Sequence, residues 1–284
     1  MLNYCALTEE INPSGIYAFV DKAQVWLKQP LARPELKWLK AQCGVGGLDI
    51  KTEAAWFDWS LMQRLQLKQP SREALQSLST LDGAVLNSIE LSLDWVFDDA
   101  SSRNDAYDFV CRYHVKKYHR DQGIRFVGGV TRYSGPRKSP NVLAIYRDRA
   151  SKVTGEVYCV HFDWRIKGAP ALRRAGIASV ADLIKLNHRR FWQERLLMRD
   201  LSLRDLGRMY HVHVVGKGRR RGPWVVFSGR KEFPYQVDLR AGATIVRALN
   251  STQAVLDLYR RQFNVNHCLK AIDVSHLLPQ DISS

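Results

Sequence analysis

The stretch SIELSLDWVF, residues 88–97, alternates polar and apolar residues more regularly than any other part of the chain. In an extended strand successive side chains point to opposite faces. Ile89, Leu91 and Leu93 therefore fall on one side, and Glu90, Ser92 and Asp94 on the other. The apolar side asks to be covered. The polar side sets Glu90 and Asp94 about 13 Å apart at the extended-strand rise. A solvated face is the ordinary meaning of such spacing. Were that face buried, the like charges would need a cation or protons beside them.

Other elements extend outward from this strand. Past Asp98 and Asp99 a helix is expected over about 103–119, with Tyr107, Val110 and Cys111 on its inner face. Upstream, PSREALQSLSTL (70–81) predicts a helix begun by Pro70 and Ser71, and residues 57–68 predict a strand. GIYAFVDKAQVWLK (15–28) reads as a strand and a mixed segment, broken by the proline-rich QPLARPELKWLK. Downstream, 124–132 and 141–148 predict a hairpin joined by SGPRKSP, and 157–167 another strand. The pattern is then helical to about 205. A hairpin with the basic tip KGRRRGPW, a helix at 252–263 and a polar tail follow.

The expected fold class is α+β: an antiparallel sheet with helices packed on one face, plus a helical and basic C-terminal region. The expected domains are a larger region over 1–170 and a helical, basic region over 171–284, which the features described below mark as catalytic and DNA-binding respectively. A further split of the first into similar halves, about 1–80 and 81–170, is left open by the recurrence of strand-then-helix.

Composition narrows the partner. The 284 residues carry 43 Lys and Arg against 28 Asp and Glu, a net charge of +15. That balance favours a polyanion, because each neutralised phosphate releases a condensed counterion. Five scattered cysteines without a C-x-x-C pair argue against a disulfide framework and a thiolate zinc site, and fit a reducing cytoplasm. No signal peptide and no run long enough to span a membrane is evident, so a cytoplasmic protein with no membrane partner is expected.

Residues 157–167 carry the second polar face. His161, Asp163, Arg165 and Lys167 lie opposite Val160, Phe162, Trp164 and Ile166. If this strand neighbours 88–97, then Glu90, Asp94, Asp163 and His161 can converge. Such oxygen-rich ligands suit Mg²⁺ or Mn²⁺. Tyr146, in LAIYRDR, is flanked by Arg147, Arg149 and Lys152. A phenol that attacks a phosphodiester needs cations of that kind nearby. Strand position alone does not lift Tyr146 above Tyr113, Tyr133 or Tyr158.

The order of four segments, SIELSLDWVFDD, TRYSGPRKS, LAIYRDR and VHFDWRIK, resembles the replication initiators of rolling-circle plasmids of the Rep_trans group and the related initiators of filamentous phages. The resemblance spans roughly residues 60–170. It places Glu90 and Asp94 on the two acids of the family's first strand, with Ser88 where that pattern has arginine. Thr131, Tyr133, Gly135, Arg137 and Ser139 match the family's T-x-Y-x-G-x-R-x-S segment. The nucleophile seven residues beyond that serine falls on Tyr146, and the acid of the last strand on Asp163. The resemblance implies an enzyme that nicks and rejoins one strand of origin DNA through a 5′-phosphotyrosine, with a divalent metal and without ATP. Expected partners are single-stranded or supercoiled origin DNA, a host helicase and polymerase, and a second copy of the chain as a homodimer. Arg137, Lys138, Arg147 and Arg149, with Arg219, Arg220 and Arg221 of the basic tip, are the expected DNA contacts.

Two other readings stand beside this one. His211 and His213, two apart on one strand face, can share a metal with Tyr259 as nucleophile on a later helix. Alternatively, the arginine-rich segments and Trp224 would serve a DNA-binding repressor that leaves its target intact.

Overall fold

The structure is a computed structural model that describes residues 11–54, 61–115, 124–127, 130–135, 138–201 and 269–280. The expected strand is the centre of the architecture. β4 (Val85–Val96) pairs antiparallel with β1 (Gly15–Leu27) on one side and with β9 (Cys159–Lys167) on the other. Around them β2 (Leu48–Ala54), β3 (Leu61–Lys68), β6 (Ile124–Val127), β7 (Thr131–Ser134) and β8 (Asn141–Tyr146) complete an eight-stranded sheet. Its order is β2-β3-β1-β4-β9-β8-β7-β6, and all its neighbouring strands pair antiparallel.

Helices cover the apolar face. They are α1 (Arg33–Ala41), α2 (Arg72–Ser79), α3 (Ala100–Tyr113), α4 (Ala169–Arg174), α5 (Val180–Ile184) and α6 (His188–Gln193). Ile89, Leu91, Leu93 and Trp95 of β4 and Val160, Phe162, Trp164 and Ile166 of β9 join one core with Ala106, Tyr107 and Val110 of α3 and Phe191 and Trp192 of α6. Trp95 and Phe162 meet at 4.6 Å between ring centroids, and Phe191 sits edge-on to Trp164 at 6.2 Å. A Val, Leu, Ile or Phe among them contributes about 1.5–3 kcal/mol when fully buried. The alternation of β4 and β9 thus fixes their register, since a one-residue slip would turn the acids into the core.

Several boundaries differ from the sequence reading for identifiable reasons. The proline-rich segment that was expected only to break β1 forms α1, because Pro34 suits a helix's first turn and Glu35 reaches back to accept from the Ala32 N–H at 2.7 Å. α3 starts three residues earlier than expected, where the Asp99 carboxylate accepts from the Ser101 and Ser102 N–H groups. It stops at Tyr113, and β5 (His114–Val115) continues from it. The single strand expected over 124–132 is two strands, β6 and β7, paired with each other. The expected polar tail returns to the core: β11 (Leu269–Ala271) pairs with β10 (Leu197–Leu201), and the Trp95 indole N–H donates to the Leu277 carbonyl at 2.9 Å. No described helix is long and apolar enough to cross a membrane.

Candidate active site

The register turns isolated residues into a polar patch. Glu90 faces Lys22 of β1 and Arg165 of β9, Ser92 faces Asp163, and Asp94 faces His161. On the far side of β9, Ala144 faces Asp163 and Tyr146 faces His161. All lie on the sheet face opposite the helices. Part of this face is covered: the segment between β8 and β9 folds over Asp21, Asp94 and His161. Lys152 donates to Asp21 at 2.7 Å, Ser151 to Asp94 at 2.8 Å, and the Arg149 carbonyl lies 2.8 Å from His161 Nε2.

Among the described residues, two groups of potential ligands form rather than one. Asp21, Glu90 and Asp163 bring carboxylate oxygens within 4.8 Å of one another, and Asp94, Cys159 and His161 make the other set. The expected convergence of Glu90, Asp94, Asp163 and His161 on one point is therefore not what the geometry gives. Asp94 and His161 are bonded to each other, Asp94 Oδ1 to His161 Nδ1 at 2.8 Å, because the register sets them opposite.

Asp21, absent from the sequence-based set, takes the vacant place. β1 pairs Val20 with Leu91 and Lys22 with Glu90, so Asp21 is an extra residue in a β-bulge. A bulge re-aims a side chain without disturbing the flanking alternation. The signal was present in the sequence. Apolar residues run Ile16, Ala18, Val20 and then Ala23, Val25, Leu27, a break in the period of two at Asp21-Lys22.

The three carboxylates are only 3%, 7% and 3% exposed (Asp21, Glu90 and Asp163), so their charges require compensation. Lys22 contacts Glu90 at 3.1 Å and Asp21 at 3.3 Å, and Arg165 Nε donates to Glu90 at 2.9 Å. Burial works to lower the Lys22 pKa, but the Glu90 and Asp21 charges outweigh it and hold the ammonium above its ordinary value. An all-oxygen set of buried acids has the donor chemistry that Mg²⁺ or Mn²⁺ prefers. Each carboxylate oxygen also retains lone-pair capacity beyond its present partner.

The Tyr146 hydroxyl donates to Asp163 Oδ2 at 2.8 Å, and Ser92 Oγ donates to Asp163 Oδ1 at 2.6 Å. Burial, and then the Asp163 carboxylate, push the phenol far above the ordinary tyrosine range. Asp163 lies diagonally across the β8–β9 pair from Tyr146, since the direct cross-strand neighbour of Asp163 is Ala144. The Tyr146 ring also stacks on His161, with centroids 4.7 Å apart and 18° between planes. Burial would lower the His161 pKa, but its bond to Asp94, the Asp94 charge and the Arg149 carbonyl raise it overall.

The expected DNA contacts scatter. Arg149 is exposed, with its guanidinium 5.9 Å from the Tyr146 ring centroid, and Lys138 is exposed. Arg147 points away from the phenol, donating to Asn104 of α3 at 2.9 Å and lying over the Tyr107 ring at 4.6 Å. Arg137, Arg219, Arg220 and Arg221 lie outside the described residues, as do His211, His213 and Tyr259.

Fold and site together define an antiparallel-sheet protein with a buried tyrosine–carboxylate centre on the face opposite its helices. No family model matches the sequence, and no curated protein matches it. Among solved structures the chain is similar to a rolling circle replication initiator protein from Geobacillus stearothermophilus. The TM-score is 0.43 at 9% identity, covering 66% of this chain and 89% of that one.

Proposed function

We propose that this chain is a replication initiator that nicks and rejoins one strand of origin DNA, with Tyr146 as nucleophile, and so starts rolling-circle replication of a phage or plasmid. The observation that carries the reading is the Tyr146–Asp163 hydrogen bond set within the three buried carboxylates. A nucleophile bonded to a base, and a base oriented by a third group, is the arrangement that activates a weak nucleophile. Here Tyr146, Asp163 and Ser92 take those places.

In the proposed step Tyr146 Oη attacks the scissile phosphorus. The Oη–P bond forms as the P–O3′ bond breaks, Asp163 accepts the phenolic proton, and a proton ends on the leaving 3′ oxygen. The protein is left joined to the 5′ phosphate. Phosphodiester energy is kept in the phosphotyrosine, so attack by a 3′-OH reverses the chemistry and seals a strand. Asp21, Glu90 and Asp163 would hold Mg²⁺ or Mn²⁺, which supplies positive charge against the phosphoryl oxygens. Lys22, Lys152 and Arg165, now paired with these acids or beside them, would then be available to the DNA backbone.

The test uses a random-sequence single-stranded DNA pool incubated with the full chain and Mn²⁺, followed by denaturing gel analysis. An SDS-resistant adduct is expected that EDTA prevents and Tyr146→Phe abolishes, with DNA binding retained. Full adduct formation by Tyr146→Phe would overturn the reading. Loss in Tyr259→Phe alone would instead favour a histidine-metal site at His211 and His213. Binding with no adduct from the wild type would favour a repressor.

A further inference from the structure

Tyr146, His161, Asp94 and Tyr17 face one another in succession across β8, β9, β4 and β1, forming one lateral line over the sheet. Asp163 belongs to the adjacent line, with Ala144 and Ser92. Tyr146 must therefore lean from its own line into the next to reach Asp163. A phenol free to turn about its side-chain bonds would visit that pose among others, so something has to hold the ring.

His161 has the geometry to do so. Its Nδ1 meets Asp94 Oδ1 and its Nε2 meets the Arg149 carbonyl, each at 2.8 Å, and both acceptors sit at opposite edges of the ring. Asp94 is itself fixed through its other oxygen by Ser151 Oγ at 2.8 Å. A ring bonded at both edges cannot rotate, and its face lies 18° from parallel to the phenol. His161 and Asp94 are each about 1% exposed and belong to a group separate from the carboxylates around Asp163.

We propose that His161 is a positioning residue: pinned by Asp94 and the Arg149 carbonyl, its imidazole is a fixed wall that sets the Tyr146 ring plane and delivers the hydroxyl to Asp163. The inference rests on the reading of Tyr146 as the reacting group, but its geometry can be tested without any reaction. The same bonds tie down residues 147–158, so the orientation of the phenol and the placement of that segment are coupled.

The experiment labels the full chain with tyrosine carrying ¹³C at Cζ. The Tyr146 resonance is assigned by its disappearance in Tyr146→Phe, and Asp163→Asn supplies the reference for a weakened hydroxyl bond. His161→Ala is expected to move the resonance toward the Asp163→Asn position, and His161→Phe, which keeps a flat ring, to bring it back. Mn²⁺ affinity, read by electron paramagnetic resonance, should be unchanged in both. Adduct formation at saturating DNA should fall on the order of 100-fold in His161→Ala, as misplacement by about 1 Å predicts. The half-saturating DNA concentration should stay within about threefold, since binding is not what is lost.

An unmoved Tyr146 resonance in His161→Ala overturns the proposal, and so does loss of Mn²⁺ affinity, which would make His161 a ligand. Should His161→Ala fail to fold, His161→Phe and Asp94→Asn decide it. Asp94→Asn must move the resonance more than His161→Phe does, and the reverse order overturns the proposal. Adduct formation by Tyr146→Phe would sink the proposed function while leaving the resonance measurements to judge the geometry.

Discussion

At Tyr146 the surroundings pull in two directions. Burial and the Asp163 charge keep the phenol protonated, while the same carboxylate accepts its hydrogen bond and is the proton acceptor of the proposed step. Ala144, the direct cross-strand neighbour of Asp163, is a small residue and 1% exposed. Ala144→Val should drive the ring off Asp163. Adduct formation should drop by roughly tenfold or more, and overpacking should cost about 1–3 kcal/mol in denaturant unfolding. An active, equally stable valine variant would show that the ring does not need a small residue there. Glu90 and Asp163 could be picked out from sequence because each follows the simple alternation of its strand. Asp21 could not be found by the same rule, since a bulge is where the rule lapses. The partition of Asp94 and His161 away from the other acids was also hidden, because it depends on cross-strand register.

Among the elements, the strands with one apolar face were the legible ones: β4 and β9 lie where the alternation put them. Helix ends were less so. α1 begins at residues that also punctuate, and β6 and β7 are too short for periodicity to separate. α6 carries a consequence for acid stability. His188 is its first residue, only half-buried as a whole but with Nδ1 sealed and unbonded, and burial pushes its pKa down to about 4. A helix N-terminus also disfavours positive charge. The unfolded chain takes up this proton near pH 6.5, whereas the folded chain resists until about 4. This contribution to stability is therefore complete above about pH 6.5 and declines as pH falls toward about 4. Denaturant unfolding at pH 7 and pH 5 should show a loss that is smaller in His188→Gln; an equal loss in both would assign it elsewhere.

On the scale of the whole molecule, the helices close one face of the sheet, and Tyr146 and the buried carboxylates lie on the other. The net charge of +15 suits a DNA partner, but twelve of the Lys and Arg residues, Arg219, Arg220 and Arg221 among them, lie in residues 202–268, outside the described residues. The antiparallel sheet with helices over one face was readable from periodicity. The return of residues 269–280 to the core was not, since its main tie, Trp95 to the Leu277 carbonyl, joins positions 182 apart in sequence.

The extra residue in β1 behaves like a removable shim. Excising Asp21 would bring Val20 and Lys22 into an unbroken ladder against Leu91 and Glu90, leaving every other side chain of the strand on the face it already occupies. The single-residue deletion should thus fold with undiminished cooperativity while losing most of its Mn²⁺ uptake, read by calorimetric titration. A deletion variant that unfolds would instead mean that the kink itself shapes the sheet.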